Sequence, residues 1–144
     1  MNNYSEIKNL YSRKNNLLAR VIKKSFFETI SNTEFFSDEK EILQCGAIVY
    51  KNDLKPKFHR HHKVVRNILG TSETLYVVSG NGTLEVFGEE SDQVQKIEVS
   101  AGDLINLIDG AHRIIPKGKN NLIMIEVKNG PYVSRDADKI FIDK

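Results

Sequence analysis

Residues 58–62 read FHRHH, which places His59, His61 and His62, three of the four histidines in the chain, within four positions. Imidazole is the commonest protein ligand for transition metals and the side chain best suited to moving protons near neutral pH. If the stretch is extended, successive side chains alternate faces. His59 and His61 then share one face, and Arg60 and His62 the other. Two imidazoles one side-chain spacing apart can share an ion when further ligands converge on them. Without such partners a His-x-His is a surface feature, and His62 is expected in solvent.

The elements that would position these residues are strands. ETLYVVS (73–79) and TLEVF (83–87) are rich in β-branched and aromatic residues and flank Gly80-Asn81-Gly82. Asn-Gly supplies the positive φ of a tight primed turn, so a hairpin is expected there. VQKIEVS (94–100), LINLI (104–108), RIIP (113–116) and NLIMIEVK (121–128) follow, with turns at AGD and DGAH. LLARVIK (17–23) and CGAIVYK (45–51) also read as extended, while SDEK (37–40) opens on a helix cap. Tyr4, Ile7 and Leu10 sit at helical spacing, yet NLYSRKNNLLARVI reads equally as a hairpin turning on RKNN. The tail SRDADKIFIDK (134–144) is an edge strand or a packed terminal segment. Short strands at near-regular spacing with glycines at the junctions predict an all-β antiparallel sandwich or barrel.

Bulk properties narrow the setting. The 144 residues suffice for one domain with its own core. A net charge of +2, from 21 basic against 19 acidic residues, lacks the clustered excess of a nucleic-acid surface. Cys45 is the sole cysteine, so no intrachain disulfide can form; it reads as a small buried apolar residue in a reducing cytoplasm. No segment approaches the ~18 apolar residues of a membrane span. MNNYSEIKNLYSRKNN lacks the apolar stretch of a secretory signal. The expectation is a soluble, cytoplasmic, single-domain protein over residues 1–144, with neither nucleic acid nor membrane as partner.

The order of certain residues carries a resemblance. Glu73 is followed by six residues and Gly80, and Gly102 opens GDLINLIDGAH, which ends on His112. His-x-His, Glu-x6-Gly and a Gly-Asp turn leading to a third histidine resemble the two halves of the cupin pattern, over roughly residues 45–128. HRHHKVVR, TSE and EVKNGPY are similar to elements of small single-domain cupins found among surface-polysaccharide biosynthesis genes. The chain departs from the pattern in two places. Residues 62–72 make a longer connection between His61 and Glu73, and the turn before His112 is one residue shorter.

The resemblance implies a cupin-type double-stranded β-helix, a jelly-roll barrel, with residues 1–44 as an N-terminal extension and 129–144 as a tail. It implies a homodimer formed through residues 1–25. It further implies that His59, His61, Glu73 and His112 hold a divalent metal, Fe, Mn, Ni, Co or Zn, since three imidazoles and a carboxylate make a suitable donor set. The activity implied is a metal-dependent isomerase or epimerase acting on a small carbohydrate or nucleotide-sugar, the metal stabilising an enediolate. An Fe(II)-dependent oxygenase and a non-enzymatic sugar-binding protein stand as alternatives.

Further candidates come from the residues themselves. Glu126 shares a strand face with Leu122 and Met124. It is a general base if that face lines the interior, and merely exposed if Ile123, Ile125 and Val127 line it instead. Arg66 suits a phosphate or carboxylate of a substrate, or is a solvated loop residue. Tyr76 and Tyr132 contact ligand or are edge aromatics. Arg113 follows His112 and should point away from it.

Overall fold

The computed structural model describes residues 5–144, so Tyr4 of the N-terminal periodicity lies outside the described residues. The chain enters as an antiparallel hairpin of β1 (Ile7–Tyr11) and β2 (Leu17–Ile22). Its turn closes with Asn15 N–H donating to Ser12 C=O at 2.9 Å and Ser12 N–H donating to Asn16 C=O at 2.9 Å. Asn15 takes φ 64°, which asparagine tolerates better than most residues. Of the two readings open for this region, the structure takes the hairpin turning on RKNN.

A short helix, α1 (Lys24–Thr29), follows and buries Phe26. The SDEK helix is corrected: Asp38 uses its capping groups within one turn. Its carboxylate accepts from Lys40 N–H at 2.9 Å, and its N–H donates to Glu41 Oε1 at 3.0 Å. The chain continues through Leu43 as turn and bend rather than as helix. The extended CGAIVYK shrinks to β4 (Gly46–Ala47), paired with β3 (Glu34–Phe35). Residues 48–72 then run without strand or helix, so FHRHH is not part of a sheet.

The remaining strands are β5 (Glu73–Ser79), β6 (Asn81–Phe87), β7 (Gln95–Ser100), β8 (Leu104–Leu107), β9 (Ala111–Lys117) and β10 (Ile123–Lys128), before a final turn of helix, α2 (Arg135–Asp138). They form a five-stranded sheet, β1-β2-β8-β5-β10, and a three-stranded sheet, β7-β6-β9. Every pairing is antiparallel. The protein is therefore mostly β, as the strand spacing predicts.

The expected β5–β6 hairpin does not form. β5 pairs with β8 and β10, while β6 pairs with β7 and β9. Gly80, at φ 85°, is a corner where the chain leaves one sheet for the other. A Cβ there would lie 2.5 Å from Asn121 C=O and 2.9 Å from Leu122 Cα. The glycine thus serves a close backbone crossing, a demand that the local sequence shares with a turn.

Between the sheets lies the core: Ala19 and Val21 of β2, Leu75 and Val77 of β5, Ile105 and Leu107 of β8, Leu84 and Val86 of β6, and Val99 of β7. Each of the valine, leucine and isoleucine side chains contributes about 1.5–3 kcal/mol by leaving water. The five-stranded sheet's outer face is covered in part by the chain around β3 and β4. There the buried Arg20 donates to Glu41 at 2.8 and 3.1 Å and to Asn106 Oδ1 at 2.9 Å. Cys45 Sγ lies 3.1 Å from Thr74 Oγ1 on the same face, buried as expected but beside a polar partner. No helix among the described residues is long and apolar enough to cross a membrane.

Substituting the corner separates crowding from backbone conformation. Gly118 has a similar φ of 81°, but a Cβ there would meet nothing within 4 Å. Gly118→Ala should cost about 1–2 kcal/mol for the left-handed backbone alone. Gly80→Ala should cost roughly a further 1–2 kcal/mol in urea unfolding, because backbone atoms must move.

Candidate functional site

Strand alternation sends Glu73, Leu75 and Val77 to the inner side of β5. Leu75 and Val77 are core, and Glu73 is the polar first step of the same face, only 7% exposed. The entry to β5 is pinned one residue earlier. Ser72 N–H donates to Asn129 Oδ1 at 2.8 Å, and Ser72 Oγ donates to Leu107 C=O at 2.8 Å.

His112 arrives from the other sheet. After β8 the chain turns at Ile108–Gly110, held by Ile108 N–H and Asp109 N–H donating to Leu18 C=O at 2.9 and 3.1 Å. Gly110, at φ 76°, sits where a Cβ would meet Phe87 C=O at 2.5 Å. His112 then pairs with Val86 in the β6–β9 register, so it shares the inward side of that core residue. Its Nε2 lies 3.3 Å from Glu73 Oε2. Lys128, directly opposite Glu73 on β10, adds a cation on the same face.

Hydrogen bonding to His112 holds the Glu73 carboxyl below its ordinary value. Burial opposes the shift, and the charges of His112, Lys139 and Lys128 reinforce it. An ionised carboxylate beside one imidazole nitrogen fixes which nitrogen carries the proton, the arrangement that general acid–base chemistry requires. Glu73, His112, Lys128 and Lys139 all line a cavity of about 700 Å³, walled on one side by the tail from Ala137 to Lys144. Lys144 Nζ ties that tail down by donating to Glu90 C=O at 2.6 Å and Asp92 C=O at 2.5 Å, and it stands 4.1 Å from the Phe87 ring. The tail forms no strand, and it is anchored at Lys144 while its residues 134–144 stay exposed.

His59 and His61 lie elsewhere, on the irregular run 48–72, exposed, with ring centroids 5.4 Å apart and planes at 80°. His62 and Arg66 are exposed on the same run. The structure therefore brings together Glu73 and His112 and leaves His59 and His61 apart from them. Among the described residues no group of three or more His, Cys, Asp or Glu converges to hold an ion. The expected divalent metal is corrected on that ground: two exposed imidazoles on an irregular segment and one distant imidazole–carboxylate pair do not make a four-ligand site.

Glu126 lies on the inner side of β10 with Met124, which packs against the core, and Lys128. Its carboxylate stands 3.5 Å from Lys128 Nζ and is 45% exposed, outside the cavity lining. Tyr76 is on the outer side of β5. Arg113 points away from His112, as expected, and Arg113 Nε donates to Glu85 Oε2 at 2.7 Å. Sequence reasoning missed Lys128 and Lys139 as neighbours of Glu73. For Lys128 the signal was available, since β5 and β10 both have clear strand patterns; the register that sets Lys128 opposite Glu73 was not.

Among curated proteins the chain is similar to ones named 3-dehydroquinate dehydratase. That of Listeria monocytogenes serovar 1/2a is 23% identical over 110 residues, 76% of this chain and 42% of the relative. That of Listeria innocua serovar 6a shows the same identity and coverage, and that of Listeria monocytogenes serotype 4a is 24% identical over 131 residues, 91% of this chain and 48% of the relative. The chain spans less than half the length of these relatives. No family model matches it, and no solved structure matches it. The cupin resemblance is corrected accordingly, because the relatives carry a dehydratase name. With it go the metal-dependent sugar isomerase or epimerase, the Fe(II) oxygenase, the sugar-binding alternative and the polysaccharide setting.

The lowered Glu73 carboxyl has a testable sign. Its stabilising contribution is fully present above the unfolded value, near the ordinary 4.5, and is lost as pH falls through the lower folded value. Glu73→Gln should therefore melt below the parent at neutral pH, by on the order of 2–4 °C. The gap should close as thermal scans are taken through and below the ordinary carboxylate range.

Proposed function

We propose that the chain binds a small carboxylate-bearing molecule in the cavity beside Glu73, His112 and Lys128, and eliminates water from it by general acid–base catalysis. The observation that carries this reading is the 3.3 Å contact between His112 Nε2 and Glu73 Oε2 at the cavity wall. The relatives named 3-dehydroquinate dehydratase support the reaction class, and 3-dehydroquinate is the first substrate to test.

In this reading the imidazole of His112 removes a proton from the carbon next to the substrate's carbonyl, and the released electron pair moves to the carbonyl oxygen. The enolate then collapses, restoring the carbonyl and forming a C=C bond as the C–O bond on the adjacent carbon breaks, and the hydroxyl departs as water after taking up a proton from the imidazolium or from solvent. Glu73 orients the imidazole. Lys128 and Lys139 attract the substrate's carboxylate and offset developing negative charge, Lys128 with more weight because its side chain is the less exposed. Residues 1–144 work as one domain in this reading, in the cytoplasm where the lone thiol stays reduced, and as a homodimer.

Incubation with 3-dehydroquinate, followed by the appearance of a conjugated product, tests the reaction. His112→Ala should lower kcat/KM by ~10²–10⁴-fold, the usual weight of a general acid–base group. Lys128→Met should act more on KM. Absence of both turnover and any ligand-induced rise in melting temperature would sink the reading.

A further inference from the structure

The chain exposes more surface than its mass warrants. A compact monomer of 16.4 kDa shows roughly 7,500 Å² to water, whereas this one shows 11,091 Å². The excess of roughly 3,500 Å² is several times the ~800 Å² that each partner gives to an ordinary stable interface.

Two features contribute to it beside the exposed tail at residues 131–144. The first is the run 48–72, an arm whose two ends lie close together. Cys45, just before it, lies 3.1 Å from Thr74, just after it. Between them Phe58, Val65 and Leu69 stand almost fully in solvent. Among the described residues the only backbone–backbone hydrogen bond within the arm joins Leu54 N–H to Lys51 C=O. The second is the outer face of β5 and β10. There Tyr76, Val78, Ile123, Ile125 and Val127 are 41–57% exposed, and β10 is the last strand of its sheet, leaving one edge without a strand beside it. An apolar face bordered by an open edge is a site for another chain.

We propose that the arm of one copy seats on the β5–β10 outer face of a second copy, reciprocally, forming an exchanged homodimer. This gives a surface to the pairing proposed above and does not depend on the acid–base reading. The intrachain seat is within the arm's reach and is not taken. The arm stands clear with its side chains in water, the conformation of an exchanged segment. Charge agrees. Lys51, Lys55, Lys57, Arg60, Lys63 and Arg66 against Asp53 give the arm +5, which leaves −3 on the rest of a chain that totals +2, so arms repel each other and attract bodies. A lipid surface would cover the arm but would leave the sheet face in water.

Light scattering on the full chain should give twice the mass of one copy, and Ile125→Lys should weaken association by at least ~30-fold with an unchanged circular dichroism spectrum. Val65→Cys and Ile125→Cys chains, mixed and oxidised, should form covalent dimers that neither forms alone. A dimeric mass without that cross-link would overturn the arm exchange while leaving the pairing intact. A monomeric mass would overturn both, and a monomer that sediments with phosphatidylserine vesicles would assign the arm to an anionic membrane. A double variant that closes on itself within one chain would overturn the exchange in favour of an intrachain seat.

Discussion

One residue separates β5 from β6, yet the two strands lie in different sheets. Gly80 makes this possible by taking a left-handed backbone conformation against Asn121 and Leu122, where no side chain fits. The meeting of Glu73 and His112 follows from that corner. It commits Glu73 to the inner face of the five-stranded sheet and sets β6 in the three-stranded sheet, where it receives β9 and His112. A hairpin at the same place would have put both strands in one sheet. Glu73 and His112 would then have lacked the facing layers that bring a carboxylate to an imidazole.

Much of the sheet framework was legible. ETLYVVS, VQKIEVS and LINLI carry the period-two or continuous apolar patterns of half-buried and buried strands, and the structure keeps them with small changes at the ends. What the patterns lacked was partnership. Asn-Gly is chemically suited to a hairpin, and nothing within reach of residues 79–83 announces that β10 will lie against β5 instead. Tertiary packing decided between two uses of the same glycine.

The site was legible in half. Glu73 and His112 stand out by their order along the chain, and they meet. His59 and His61 join them only on the premise of a strand that residues 48–72 do not form. The two rings lie together, 5.4 Å apart, but without a strand paired into the sheet nothing carries them to the distant carboxylate. Arg20 and Asn106 show the opposite failure. Each reads as a polar interruption in an apolar run, and together with Glu41 they form a buried polar cluster under the N-terminal segment. A buried guanidinium is tolerable only with such full pairing.

Cys45 sits where the run 48–72 begins, tucked against Thr74 and shielded from solvent. Because it is the chain's single thiol, its rate of alkylation measures one event: the lifting of that junction away from the sheet. Bulk reagent reaches the sulfur only in the opened fraction, so labelling kinetics convert a local breathing motion into an opening free energy without any added probe. The protein carries its own gauge of how firmly the root of that segment is fastened.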